Sequence, residues 1–264
     1  MVRGLYIAGT GMLLQRRRME NITNNITNAE TSGYKKEYFM AHSFDEVLTR
    51  RVNDYSRRDR YGMIDDGGQR EVLGRRVGPL NLGTQVDHLH IDFSMGALEG
   101  TERPNDLALI GDAFFVIQTD AGERYTKAGH FFLNNEGFLI DGDGNFLLGN
   151  NGPINVGGLN FRVDSSGNVF TEAGQIDTIR VVSFEDNTTL RRQGSNYYLA
   201  TVPPQAAPND YTIAQGFLEM SNIDIGREMV DMLTMYRTYE TNQRMVTMID
   251  EINGKAANEI GRLR

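Results

Sequence analysis

The sequence predicts a mixed α and β fold, with a mainly antiparallel β middle domain between an α-helix at each end of the chain. Apolar residues recur at helical spacing near both termini, and short apolar segments alternate with turn residues between them. In addition, most of the 29 glycines lie between Gly62 and Gly174. Because glycine adopts the backbone conformations that tight turns require, this enrichment indicates many short strands.

The N-terminal segment carries apolar residues at alternating steps of three and four. This N-terminal stripe consists of Leu5, Ala8, Met12, Gln15, Met19, Ile22, Ile26 and Ala29. The spacing is typical of a coiled-coil helix, and a single helix cannot bury such a stripe by itself. We expect the helix to end near Ser32-Gly33, where Gly33 suits a left-handed C-terminal cap.

The C-terminal segment contains a long amphipathic pattern that predicts a second helix. Its apolar positions are Ile225, Met229, Met232, Leu233, Tyr236 and Tyr239 and, after a change of phase, Met245, Ile249, Ile252, Ala256, Ile260 and Leu263. Ser221-Asn222 is the expected N-cap pair, and Asp224 and Glu228 favour the first turn. Periodicity leaves two interpretations open: both helices pack on the middle domain of a monomer, or they pack with helices of other copies.

These patterns divide the chain into three parts. Residues 1–34 and 216–264 form a helical assembly domain, residues 35–85 an extended connecting segment, and residues 86–215 a β-rich middle domain. Residues 45–83 show neither period well and are long for a loop of a compact domain. The strands expected in the middle domain are residues 113–117, 131–133, 138–140, 145–148, 179–184 and 197–199.

Composition excludes several classes of protein. The formal net charge of −8 does not support nucleic-acid binding, which requires excess Lys and Arg. The chain has no cysteine, so disulfides, thiol nucleophiles and cysteine-based zinc sites are excluded. No apolar run approaches the roughly 20 residues of a membrane helix. The first thirty residues also lack the continuous apolar region of a secretory signal peptide, and we expect neither membrane insertion nor such a signal.

No group of residues indicates catalysis, a cofactor or a bound metal. Asp141–Asn145 begins like a calcium loop but lacks the required glycine and glutamate, which favours a turn. Gly9–Gly11 lacks the rest of a dinucleotide-binding motif. It indicates either a locally less stable point in a helix or a close approach of two helices. We interpret His88, His90 and His130 as unrelated surface residues. A polysaccharide-cleaving or metal-dependent enzyme stays an alternative that needs converging acids or histidines.

Six segments together resemble the flagellar rod and hook family. They are residues 5–12, 24–35, 106–115, 125–131, 216–224 and 235–242, and they follow one another in that family's order. Length and a single β domain favour the distal rod subunit, with a proximal rod paralogue or another hook-basal body subunit as the alternative. Lys127, His130 and Asp112 depart from the residues usual in that family.

The resemblance implies a structural role without enzymatic activity. Terminal helices would form an inner coiled-coil layer with the β domain outside it, in a tube that transmits torque to the hook. It also implies location in the flagellar basal body, export by the flagellar type III apparatus without a cleaved signal peptide, and partners among copies of the chain and other rod and hook proteins. Phe44–Leu48 resembles an export-gate recognition segment, although an ordinary strand or helix produces the same pattern.

The predicted assembly residues lie on the two terminal helices. As a hypothesis, one set packs against the other within and between subunits: Leu5, Met12, Met19, Ile22 and Ile26 against Met229, Met232, Tyr236, Ile249 and Ile252. Tyr239 is a further predicted assembly residue. Asn24, Asn25 and Asn28 cap the helix, bond across helices or specify register, or else they are solvent-facing amides. A secreted oligomeric binding module stays open, and it would retain ligand affinity without residues 1–30.

Overall fold

The computed structural model describes residues 2–43, 47–50, 76–80, 83–158, 160–194, 196–206 and 210–260. Helix α1 (Val2–Thr27) lies near one end of the chain and helix α2 (Ile225–Lys255) near the other, with a π-helical turn over Ala256–Ile260. Antiparallel strands occupy the chain between them. The predicted mixed fold with terminal helices and an antiparallel middle is confirmed, whereas the coiled coil stays a prediction.

The strands are short, and most contain two to six residues. In chain order they are β1 (Glu37–Ser43), β2 (Val47–Arg50), β3 (Arg76–Leu80), β4 (Thr84–Ile91), β5 (Leu98–Gly100), β6 (Leu107–Ile110), β7 (Phe114–Thr119), β8 (Gly122–Thr126), β9 (Phe132–Leu133), β10 (Leu139–Ile140), β11 (Phe146–Gly149), β12 (Gly152–Pro153), β13 (Arg162–Val163), β14 (Asn168–Thr171), β15 (Gly174–Thr178), β16 (Val181–Ser183), β17 (Leu190–Arg192), β18 (Tyr198–Ala200), β19 (Gln205–Ala206), β20 (Thr212–Gln215) and β21 (Phe217–Glu219). All six strands expected in the middle domain are present, with ends shifted by a few residues.

A large sheet with the order β17-β18-β8-β7-β11-β10-β9 forms the centre of the middle domain. Strand β7 has an uninterrupted apolar run because both of its faces are covered. Phe115 and Ile117 join one buried cluster, while Phe114 and Val116 join a second one on the other face. Strand β16 pairs with β7 on the side opposite to β8 and adds Val182 to the second cluster.

The chain divides into two compact units. Unit 1 contains residues 1–19, 39–88 and 234–264, and unit 2 contains residues 20–38 and 89–233. Unit 2 holds the large sheet and both buried clusters. In unit 1, β2 pairs antiparallel with β3.

Part of the predicted connecting segment lies outside the described residues. This applies to residues 51–75 and 81–82, and to Phe44–Glu46 of the predicted export-gate segment. Neither α1 nor α2 combines the length and the hydropathy that crossing a membrane requires, among the residues that the structure describes.

Two helix ends differ from the sequence prediction. Helix α1 ends at Thr27, and the backbone N–H groups of Asn28 and Ala29 then form tighter turn hydrogen bonds. Gly33 does adopt the left-handed conformation, with φ +67°, but at the exit of this turn. The N-cap of α2 is Asp224, whose Oδ1 accepts a hydrogen bond from the Arg227 amide at 3.2 Å, so the prediction of Ser221-Asn222 is wrong.

Candidate functional site

A group of buried and half-buried charged and amide side chains lies in unit 2, where the chain leaves α1 and enters α2. We call it the junction cluster. Its members are Asn25, Lys35, Lys36, Glu37, Arg192, Glu219, Asn222 and Glu228. Three cations and three carboxylates make the cluster formally neutral, which burial requires.

Lys35 and Glu219 form the most buried ion pair of the cluster. Both side chains are almost fully buried, at 0% and 1% exposure, and Lys35 Nζ lies 2.5 Å from Glu219 Oε1. Lys35 Nζ also donates to the Ser94 carbonyl at 2.7 Å, and the Gly96 amide donates to Glu219 Oε1 at 3.0 Å. The pair joins the segment after α1 to β21, and removing either partner would leave the other charge buried.

Glu228 connects α2 to the end of α1 and to the segment that follows it. Its Oε1 lies 2.5 Å from Lys36 Nζ, and its Oε2 accepts a hydrogen bond from Asn25 Nδ2 at 3.3 Å. The Asn25 amide also donates to the Glu37 carbonyl at 3.0 Å and accepts from the Glu37 amide at 3.2 Å. Asn25 is only 1% exposed, so its side chain bonds across helices and does not face solvent.

Arg192 of β17 fixes the segment after α1 from the side of the large sheet. Its Nη2 donates to the Lys35 carbonyl at 2.6 Å, its Nη1 lies 3.2 Å from Glu37 Oε1, and its guanidinium lies 4.0 Å from the centre of the Tyr34 ring. Burial works against the guanidinium charge, but Tyr198, Glu37 and Tyr34 raise the pKa of Arg192 overall. Burial also raises the pKa of Tyr34. Arg192 therefore stays charged and Tyr34 neutral.

The side chain of Asn222 forms hydrogen bonds with backbone groups of two other segments. Its Oδ1 accepts a hydrogen bond from the Lys36 amide at 2.8 Å, and its Nδ2 donates to the Asp92 carbonyl at 2.9 Å. A side chain that bonds two separate segments holds both against the start of α2. This role explains why Asn222 does not cap the helix.

Lys127 is a buried ammonium near the junction cluster. Its Nζ donates to the Gly111 carbonyl at 2.6 Å and lies 5.5 Å from the centre of the Phe114 ring. Burial lowers the pKa of Lys127 to about 8, and this effect outweighs the attraction of Glu219. The positive charge of Lys127 is therefore unfavourable in the folded protein at neutral pH.

Two contacts in unit 1 show where α1 and α2 approach each other. A Cβ atom added to Gly4 would lie 3.3 Å from Ile249 Cδ1, and one added to Gly11 would lie 3.0 Å from Asn242 Nδ2. Ala8, midway between the two glycines on the same face, is buried. Seven residues forward along α1 correspond to seven residues backward along α2, so the helices run antiparallel here. The close approach expected for the Gly9–Gly11 motif occurs at Gly11.

The predicted assembly residues divide into three groups by exposure. Asn25 is buried, and the half-buried residues are Met12, Met19, Ile22, Ile26, Asn28, Met232, Tyr239 and Ile249. The exposed residues are Leu5, Asn24, Met229, Tyr236 and Ile252. Asn28 bonds to Asn24 through its Nδ2. Of the predicted residues, the structure places Ile249 against α1 and Asn25 against α2, and packing among the others stays a prediction.

Large apolar side chains on both helices are exposed. On α2 they include Met229, Val230, Leu233, Tyr236, Met245, Met248 and Ile252, and on α1 Tyr6, Ile7 and Leu13. The exposed fraction reaches 62% at Val230 and 59% at Leu233. Isolated apolar residues are common on protein surfaces, but a succession of them along one helix indicates an interaction surface.

The other motifs do not form a reactive site. Asp141 Oδ1 accepts hydrogen bonds from the Asp143 and Asn145 amides at 2.9 Å, which is the expected turn. His130 Nδ1 lies 2.6 Å from Asp106 Oδ1, while the side chain of His88 lies outside the described residues. Within the described ranges, no group of three or more His, Cys, Asp or Glu residues is placed to hold a metal ion.

Several residues that define the site were not predicted from the sequence. Lys35, Arg192 and Glu219 were not predicted as site residues, because the sequence around a single charged residue does not identify a partner that is distant along the chain. Gly4 was not predicted as a point of helix contact because the predicted stripe of α1 contains large apolar residues and not the small residues beside them. The available signal was the spacing of Gly4, Ala8 and Gly11 at steps of four and three, which places small residues on one helix face.

Comparison with known proteins gives consistent matches along the chain. Family models match over residues 5–35 (flagella basal body rod protein), 108–228 (flagellar hook protein FlgE/F/G D1 domain) and 214–259 (flagellar basal body rod FlgEFG protein C-terminal). The chain is 34% identical to the flagellar hook-basal body complex protein FlhO of Bacillus subtilis, over 100% of both chains. It is 31% identical to the flagellar basal-body rod protein FlgG of the same organism, over 98% of this chain and 99% of the relative. It is 28% identical to the flagellar basal-body rod protein FlgF of Caulobacter vibrioides, over 100% of both chains.

Proposed function

Because this chain belongs to the flagellar basal body rod protein family, we propose that it is a non-enzymatic structural subunit of the flagellar rod. In this role it polymerises into a tubular drive shaft that transmits torque to the hook. The matches to rod proteins named FlgG favour the distal rod. The observation that carries the polymerisation proposal is the row of exposed apolar side chains along α2.

Neighbouring copies would cover these exposed faces. Each large apolar side chain that passes from exposure to full burial contributes roughly 1.5–3 kcal/mol. Several such residues on α2 therefore stabilise the contact between copies, and this gain is reduced by about 1–2 kcal/mol for each residue that becomes ordered only on assembly. The predicted contacts of Met229, Tyr236 and Ile252 belong to this interface.

The contact between copies would be heterologous, joining different surfaces of the two subunits. A heterologous contact that does not close into a ring repeats indefinitely and produces an open helical tube. Other rod and hook proteins would continue the same tube above and below this subunit. The flagellar type III apparatus would export the chain to the basal body.

The experiment compares two substitutions on the exposed part of α2. Leu233→Asp introduces a carboxylate into the apolar row, and Gln243→Asp makes the same change at an exposed polar position of the same helix. We expect Leu233→Asp to abolish sedimentable polymers of the purified protein and motility of cells. Gln243→Asp should retain both, and circular dichroism should show both variants folded.

Equal polymerisation of the two variants would contradict the proposal. Retained binding of a soluble ligand by a monomer lacking residues 1–30, with motility intact, would favour the secreted binding module instead.

The matches to FlgF and FlhO favour a second position, in another part of the hook-basal body complex. Complementation separates the two: the distal rod role predicts rescue of a strain lacking its FlgG protein and no rescue of one lacking FlgF.

A further inference from the structure

Three contacts between α1 and α2 share the same antiparallel register. In unit 2 Asn25 meets Glu228, and in unit 1 Gly11 meets Asn242 and Gly4 meets Ile249. Steps of fourteen and seven residues along α1 match equal steps in the opposite direction along α2. We propose that Asn25 and Glu228 are positioning residues that set the register in which the two terminal helices pair.

The hydrogen bonds of Asn25 and Glu228 make their alignment specific. Asn25 is bonded on both sides of its amide, and Glu228 binds Asn25 with one oxygen and Lys36 with the other. A shift of α2 by seven residues would place Met235 opposite Asn25. Methionine cannot bond the buried amide or the ammonium of Lys36, and buried polar groups without partners are costly.

The contacts in unit 1 do not discriminate between registers in the same way. After the same shift Ile249 would lie opposite Gly11, and Ala256 opposite Gly4. Glycine has no side chain to clash with either residue, and neither contact includes a buried charge. The specificity therefore resides in the buried polar pair, as it does where a single buried amide fixes the register of a coiled coil.

Disulfide trapping in the full-length protein tests the proposal, because the chain has no cysteine of its own. Ile249→Cys is combined with Gly4→Cys to report the observed register, or with Gly11→Cys to report the shifted one. Seven residues span about 10 Å along a helix, whereas a disulfide needs Cα atoms about 4.4–6.8 Å apart, so each pair reports one register. Yields are measured after mild oxidation of dilute monomer.

We expect Asn25→Ala to lower the yield of the Gly4/Ile249 disulfide at least threefold. The matched control is Asn24→Ala, which removes the neighbouring exposed amide and should leave the yield unchanged. Where circular dichroism shows that Asn25→Ala is unfolded, Glu228→Gln replaces it with the same expectation.

An unchanged yield in the folded Asn25 or Glu228 variant, or an equal loss in the Asn24 control, would overturn the proposal. The outcome is separate from polymerisation. Leu233→Asp should block polymers while leaving the disulfide yield intact, so failure of one proposal is distinguishable from failure of the other.

Discussion

Replacement of Lys127 by methionine should stabilise the protein at neutral pH. The side chain is 4% exposed, and its ammonium donates to the Gly111 carbonyl and lies near the buried Lys35–Glu219 ion pair. Methionine has a similar length, fills the same space and carries no charge. The variant therefore removes the cost of a buried charge and also loses one hydrogen bond.

The magnitude follows from the pKa of Lys127, which burial lowers from 10.5 to about 8. The folded protein then binds fewer protons than the unfolded chain between about pH 8 and pH 10.5, so the stability of the wild type rises with pH in that window. The cost of the charge is fully present below pH 8, at about 3 kcal/mol, and disappears above pH 10.5. Loss of the hydrogen bond subtracts about 1 kcal/mol at every pH.

Denaturant unfolding followed by circular dichroism measures the effect at a series of pH values. We expect the free energy of unfolding of the variant, relative to the wild type, to be about 2 kcal/mol higher at pH 7. This difference should fall by about 3 kcal/mol by pH 10.5. The control Lys255→Met makes the same change at an exposed position of α2, where no buried charge is removed, and should be nearly neutral at pH 7. A constant difference for Lys127→Met across this range would refute the reasoning.

Three further predictions concern the junction and the turn before it. Lys35→Met and Glu219→Met should each lower the free energy of unfolding by about 3–5 kcal/mol, but the double variant by much less, which a double-mutant cycle measures. Gly33→Ala should lower the melting temperature strongly, since its Cβ would clash with the Ala128 amide nitrogen, whereas Gly142→Ala, in open space, should be nearly neutral. Arg192→Lys should cost about 1–3 kcal/mol in chemical unfolding because lysine cannot both stack on Tyr34 and bond the backbone; a neutral result would contradict this role.

Local patterns predicted the elements of this fold well. The apolar run at residues 113–117 marks β7, and Gly33 adopts the left-handed conformation expected of it. These features depend on neighbouring residues, so they can be read from a short stretch of chain. The end of α1 was placed too late because the apolar spacing continues through Ala29, although the backbone turns after Thr27.

The candidate site was less predictable because its contacts join distant parts of the chain. Asn24 and Asn25 are adjacent and chemically identical, yet only Asn25 is buried and bonded to α2. Likewise, nothing around Lys35 in the sequence identifies Glu219 as its partner. Because an unpaired buried charge is costly, charges must be matched when buried, but the fold alone determines which charges meet.

The long separation between partners in the junction cluster has a consequence for timing. Lys35 and Glu219 lie 184 residues apart, and Asn25 and Glu228 lie 203 residues apart. During synthesis Asn25, Lys35 and Lys36 therefore stay hydrated and without their partners in α2 and β21 until nearly the whole chain has left the ribosome. Loop closure over such a distance is also slow. A nascent or newly released chain thus passes through an interval in which its two terminal segments are not yet held together.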